Sequence, residues 1–159
     1  MPEIRLAMTP EARRILAELL RLTTPAAARA AVNRARLPED DAELAAGWAD
    51  LLAEQAGSEC ARLADAIRSA TGDPAVMRIP DPSAGWAIVR ALSAVRLTLR
   101  ESVFPDVPDS ALERESELAR LAPALPQEQR HALACYDCFG LLQTALLDQL
   151  DRPGDDEIG

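Results

Sequence analysis

Apolar positions along the chain recur mostly at helical rather than strand spacing, and prolines punctuate the runs. Thr9-Pro10 opens the first, with Ile15, Leu16, Leu19 and Leu20 apolar up to about Leu22. A proline in the first helical turn loses no hydrogen bond there, so such pairs read as start signals. By that rule Thr24-Pro25 opens a second, alanine-rich segment to about Arg36. Pro38 and the acids Glu39, Asp40 and Asp41 introduce a third, because carboxylates suit the positive end of a helix. This third run carries Leu44, Trp48, Leu51 and Leu52, and passes Gly57 through Leu63 and Ile67 to about Ala70.

"TGDP" (71–74) then breaks the helical pattern. "EIRLAM" near the start and "AVMRI" after the break are short enough to be extended, and they predict a minimal two-stranded ribbon pairing about 4–8 with 75–79. Asp81-Pro82 caps a further helix to about 101, whose Ile88, Leu92, Val95 and Leu99 form an inward stripe. "FPDVPD" (104–109) is a loop, and "SALERESELARL" (110–121) a short polar helix. Pro126 opens the last helix, to about Leu150. The expected fold is mostly α: a compact single-domain bundle of about five to six helices over 1–150, followed by an acidic mobile tail, "DRPGDDEIG" (151–159).

Composition fits this picture. The 159 residues suit one domain, and 48% hydrophobic content with only 3% aromatics leaves Leu, Ala, Val and Ile to build the core. Charge narrows the function. The net charge is −9, and all 17 basic residues are arginine. Such a surface repels polyanions, which disfavours direct nucleic-acid binding and favours a basic protein partner. No apolar run approaches the roughly 20 residues of a membrane span, and the start lacks the pattern of a signal peptide. A cytoplasmic protein with reduced cysteines is expected. Alanine-rich helix faces permit a homodimer without requiring one.

Candidate chemistry concentrates in "HALACYDCFG", which holds His131, Cys135 and Cys138; the third cysteine is Cys60. On a helix, Cys135, Phe139, Leu142 and Leu146 fall within about 60° of arc, with His131 and Cys138 at one edge. Buried structural thiols are therefore the preferred reading, with His131 on a half-buried rim. Zinc is a second reading, because His-x3-Cys-x2-Cys resembles the signature of zinc-binding anti-sigma factors. A structural zinc wants four ligands, however, and seven helical residues rise about 10 Å. A disulfide is a third: Cys135 with Cys138 after local unwinding, or either with Cys60 across helices. Helical i,i+3 positions hold Cβ atoms about 5–6 Å apart, wider than a disulfide allows.

Nothing else points to catalysis. There is no glycine-rich phosphate loop, no HExxH and no GxSxG. One histidine beside an apolar stripe makes a poor general base. Arg96, between Val95 and Leu97, is unusual near an inward face. It either runs to the surface or anchors a buried ion pair or binding pocket. An uncharacterised small-molecule enzyme would need such a pocket about Arg96.

"GWAIVRALSAVRLTLRESV" (85–103) and "YDCFGLLQTALLDQL" (136–150) together resemble the two hallmark helices of the actinobacterial oxidative-stress regulators of the AosR type. Those helices have the forms W-L-x-x-L-N-D-x-R-L-x-L-G and Y-x-W-L-G-W-L-Q-E-x-L. Trp86, Leu92, Arg96, Leu97 and Leu99 match the first, and Tyr136, Gly140, Leu142, Gln143 and Leu146 the second. "VNRARLPEDDAELAAGWADLL" is similar to the family's proline-acidic-aromatic opening, and the order of elements agrees from about residue 3 to 150.

The resemblance implies a helical regulator that partners a stress-response sigma factor and influences sulfur-assimilation genes in response to oxidants. The family's sensor is a disulfide between N-terminal cysteines about nine residues apart; here the first cysteine is Cys60, so that step does not carry over. Ser93 and Ala94 replace an Asn-Asp pair, Arg100 a glycine and Cys138 an aromatic residue. The chain reads as a divergent member: a non-enzymatic protein-binding module, with the redox step lost or moved to Cys135 and Cys138.

Overall fold

The structure is a computed structural model, described for residues 3–103, 105–108, 114 and 120–152. It opens with strand β1 (Ile4–Met8), which pairs antiparallel with β2 (Ala75–Ile79) in the register Ile4↔Ile79, Leu6↔Met77, Met8↔Ala75. All six of those side chains are buried, so one face of the ribbon closes the core. On the other face Arg5 stands opposite Arg78, and Glu3 bridges them at 3.0 and 3.8 Å. The carboxylate offsets a cross-strand like-charge pair that would otherwise be unfavourable.

Four long helices complete the described fold: α1 (Pro10–Arg34), α2 (Ala42–Arg68), α3 (Pro82–Val103) and α4 (Gln127–Leu150). Three of their starts carry the signals read from sequence. Thr9 caps α1 through the Ala12 N–H, Asp41 caps α2 through Leu44 N–H at 3.0 Å, and Asp81 accepts from Ala84 N–H at 2.8 Å. Pro126 stands at the N-cap of α4. Gly72, at φ 96°, takes the left-handed conformation needed in the turn before β2.

The helix count needs one correction. The segments expected at 10–22 and 24–36 are a single helix, with Pro25 inside it. Proline removes one N–H and crowds the preceding turn. There the hydroxyls of Thr23 and Thr24 donate to the Leu19 and Leu20 carbonyls, at 2.9 and 2.7 Å. The expected polar helix at 110–121 lies almost wholly outside the described residues, as does the acidic tail from residue 153. Four helices are therefore described where five to six were expected, and the mostly α class with its ribbon stands.

Cross-links give the helix directions. Arg13, at the start of α1, donates to the carbonyl of Arg68 at the end of α2. Arg34 and Glu101 pair at 2.8 Å, placing the ends of α1 and α3 together. Gly85 approaches Leu150 so closely that an added Cβ would lie 3.0 Å from the leucine. The helices thus alternate in direction, and the ribbon sits where α1 starts and α4 ends. The core includes the predicted α3 stripe (Ile88, Leu92, Val95, Leu99) and the predicted α4 stripe (Cys135, Phe139, Leu142, Leu146), all buried, with Leu16 and Leu20 of α1 and Leu63 and Ile67 of α2. Among the described residues no helix is long and apolar enough to cross a membrane.

Candidate functional site

Three places could carry function: the α3–α4 contact about Arg96, the thiol-bearing stretch of α4, and the exposed face of α2.

At the first, α3 and α4 hold each other through polar groups. Arg96 donates from Nη1 to Oε1 of Gln143 at 3.1 Å, and its guanidinium carbon lies 4.3 Å from the centre of the Tyr136 ring. Gln143 Nε2 donates in turn to the Val89 carbonyl at 3.2 Å and to Oγ of Ser93. Gly140 leaves the space the guanidinium fills, since a Cβ there would meet Nη2 at 3.0 Å. Arg96, Tyr136, Gly140 and Gln143, four positions singled out in sequence, therefore meet at one point. Trp86, the fifth, lies apart and is 41% exposed.

Arg96 has no carboxylate partner among the described residues. Its guanidinium is stabilised by an amide oxygen and an aromatic face instead, and its Nε is buried without a hydrogen-bond partner. The groups here mostly satisfy one another. The arrangement is a clasp between helices.

The second place is chemically quieter than its sequence suggests. Helix α4 runs unbroken through His131, Cys135 and Cys138. His131 is exposed rather than half-buried, Cys135 is 3% exposed, Cys138 is half-buried, and Cys60 on α2 is fully buried. All three cysteines are free thiols. Burial pushes the Cys60 thiol up to about 11, with a smaller contribution from Glu59. It pushes Cys135 up to about 11 as well, Cys138 adding to the effect. Cys138 is raised by burial first and by Asp137 second. Thiolate is the reactive and metal-binding form, so these environments oppose both chemistries at neutral pH. A hollow of about 250 Å³ brings Thr9, Glu11 and Ile15 of the α1 start against His131, Cys135 and Cys138. Even so, no three His, Cys, Asp or Glu side chains stand together as metal ligands would among the described residues.

The third place was not singled out in the sequence. In α2 every buried residue lies at or beyond Cys60, so residues 42–59 contribute none to the core. The half-buried positions of that stretch are mostly small, with Ala45, Ala49, Ala53 and Ala56 joined by Leu52. Three of its four large apolar side chains point outward: Leu44 is 49% exposed, Trp48 52% and Leu51 65%. At about 100° per residue the three fall within about 60° of arc. Shallow depressions flank Trp48, one reaching Leu52, Gln55 and Ser58 and the other Asp41, Glu43 and Gly47. A sequence signal did exist. Leu44, Trp48 and Leu51 are bulkier than the alanines on the opposite side, a reversal of the usual inward placement of large residues.

No family model, no curated protein and no solved structure matches the chain.

Proposed function

We propose that the chain is a non-catalytic, cytoplasmic regulatory module that binds a protein partner and acts on oxidative-stress transcription through a sigma factor or another RNA polymerase subunit. The observation that carries the protein-binding reading is the outward side of α2, where Leu44, Trp48 and Leu51 are 49–65% exposed along one face. Exposed apolar surface gathered in one place marks an interaction site more often than scattered single residues do. The polar groups that might have served catalysis hold α3 to α4 instead, and the most buried thiols are poorly ionised.

The link to transcription rests on the resemblance of 85–103 and 136–150 to the oxidative-stress regulators. It gains support from the meeting of Arg96, Tyr136, Gly140 and Gln143 at one helix contact. A net charge of −9 suits a partner with a basic surface, as DNA-binding transcription proteins have, and opposes contact with DNA itself. Capture of partners with the tagged full chain, followed by quantitative mass spectrometry, tests this reading. A sigma factor or polymerase subunit is expected among the specific partners. Binding of naked DNA at physiological salt, or turnover of a small molecule, would contradict it.

A further inference from the structure

We propose that the outward face of the first half of α2 docks a basic amphipathic helix of the partner protein, an inference that rests on the protein-binding reading above. Geometry supplies the seat. Leu44, Trp48 and Leu51 repeat at i, i+4 and i+7, the spacing by which one helix presents anchors to another. Gly47 borders Trp48 in one of the flanking depressions, and a Cβ added there would meet nothing within 4 Å. Its missing side chain is therefore not required by packing within this chain, although a mid-helix glycine costs about 1 kcal/mol relative to alanine. A close-packed neighbouring backbone would make use of that space.

Charge selects the occupant. Between Arg36 and Arg62 the chain carries Glu39, Asp40, Asp41, Glu43, Asp50, Glu54 and Glu59, with no basic residue. Asp41, Glu43 and Glu54 line the depressions on either side of Trp48. Among the described residues only Glu59 of the seven has an ion pair, with Arg90 at 2.8 Å. An apolar stripe bordered by unpaired carboxylates complements a helix with an apolar stripe bordered by arginine or lysine. A second copy of this chain would bring the same carboxylates against themselves, so like-charge repulsion opposes it as the occupant.

The test uses the full chain and two synthetic peptides with the same leucine stripe, one flanked by arginine and the other by glutamate. Calorimetric titration should show binding of the arginine peptide alone. Hydrogen exchange should place its protection at 42–59. Leu44→Ser with Leu51→Ser, both at exposed positions, should weaken binding by at least about tenfold while the far-UV spectrum is unchanged. Glu43→Gln with Glu54→Gln should weaken it and flatten its salt dependence. Equal binding of both peptides, or indifference to the leucine substitutions, would overturn the proposal. So would sedimentation as a dimer with Trp48 protected, which would make a second copy the occupant. The two readings separate in partner capture. A polymerase subunit recovered equally by the wild type and the leucine double variant upholds the protein-binding role and overturns this docking face. Arginine-peptide binding at 42–59 with no polymerase subunit recovered upholds the face and overturns the transcriptional role.

Discussion

The guanidinium of Arg96 lies 4.3 Å from the centre of the Tyr136 ring, and Gly140, one turn along α4 from that tyrosine, leaves the space it occupies. An arginine near an inward face is thereby accommodated without a carboxylate from the described residues. Leu, Ala or Ser at 140 would displace the guanidinium from Tyr136 or from Gln143. The clasp thus depends on a missing side chain as much as on those present.

Two glycines in helix interiors separate packing from propensity. Gly47→Ala places a methyl in open space and should stabilise the protein by about 1 kcal/mol. Gly140→Ala gains the same propensity but sets its Cβ 3.0 Å from Arg96 Nη2 and 3.1 Å from Cζ. The guanidinium, held by Gln143 and Tyr136, must give by a few tenths of an ångström, which offsets that gain. In thermal melts the first variant should rise by about 2–4 °C and the second by less or not at all.

Phe139 and Leu141 lie two residues apart on α4, the first fully buried and the second 72% exposed. Phe139→Ala should cost about 3–5 kcal/mol in urea unfolding. Leu141→Ala should stay within about 0.5 kcal/mol of the wild type. Similar losses in both would place the core on a different face of α4.

Pro25 is exposed and sits inside a continuous α1. Pro25→Ala restores one backbone N–H and relieves a steric conflict, so it should raise stability, by up to about 3 kcal/mol. No gain would mean that the chain breaks at Thr24 after all.

Alkaline pH should expose the buried thiols. Cys60 and Cys135 titrate near 11 in the folded chain against an ordinary value of 9.0. As pH rises above 9, the unfolded chain loses these protons before the folded chain does. The unfolded state then binds fewer protons, so stability falls through the window from about 9 to about 11. Cys60→Ala with Cys135→Ala should flatten that fall in urea titrations across the window. At pH 8 a brief iodoacetamide pulse, read by mass spectrometry, should label Cys138 before either of the others.

Much of the fold was legible because local rules and tertiary packing agree. The ribbon shows in sequence as two short apolar alternations, and its register follows from putting Ile4, Leu6 and Met8 on the core side. Asp41 and Asp81 act as the caps their positions suggest. Thr24-Pro25 misleads for a physical reason. The pair that starts a helix elsewhere stands inside one here, where it takes the N–H donor from the Arg21 carbonyl while the threonine hydroxyls turn back onto the Leu19 and Leu20 carbonyls.

The candidate sites were less legible. Sequence placed Arg96 near the inward face but left its partner open, because Gln143 and Tyr136 reach it only after α4 folds back across α3. Leu44, Trp48 and Leu51 have helical spacing whether they face the core or solvent, and periodicity does not choose between the two. That choice is made by the alanines opposite them and by α2 joining the core only from Cys60 onward.

The most direct measurement of the proposed regulatory role is in vitro transcription by reconstituted RNA polymerase carrying its stress-response sigma factor, with and without the purified chain. The chain should change output from the stress promoter in a saturable manner, without binding the template by itself. The effect should be lost when Leu44 and Leu51 are both replaced by serine. Unchanged transcription at saturating protein, with the factors shown to be active, would contradict a role exerted through the polymerase.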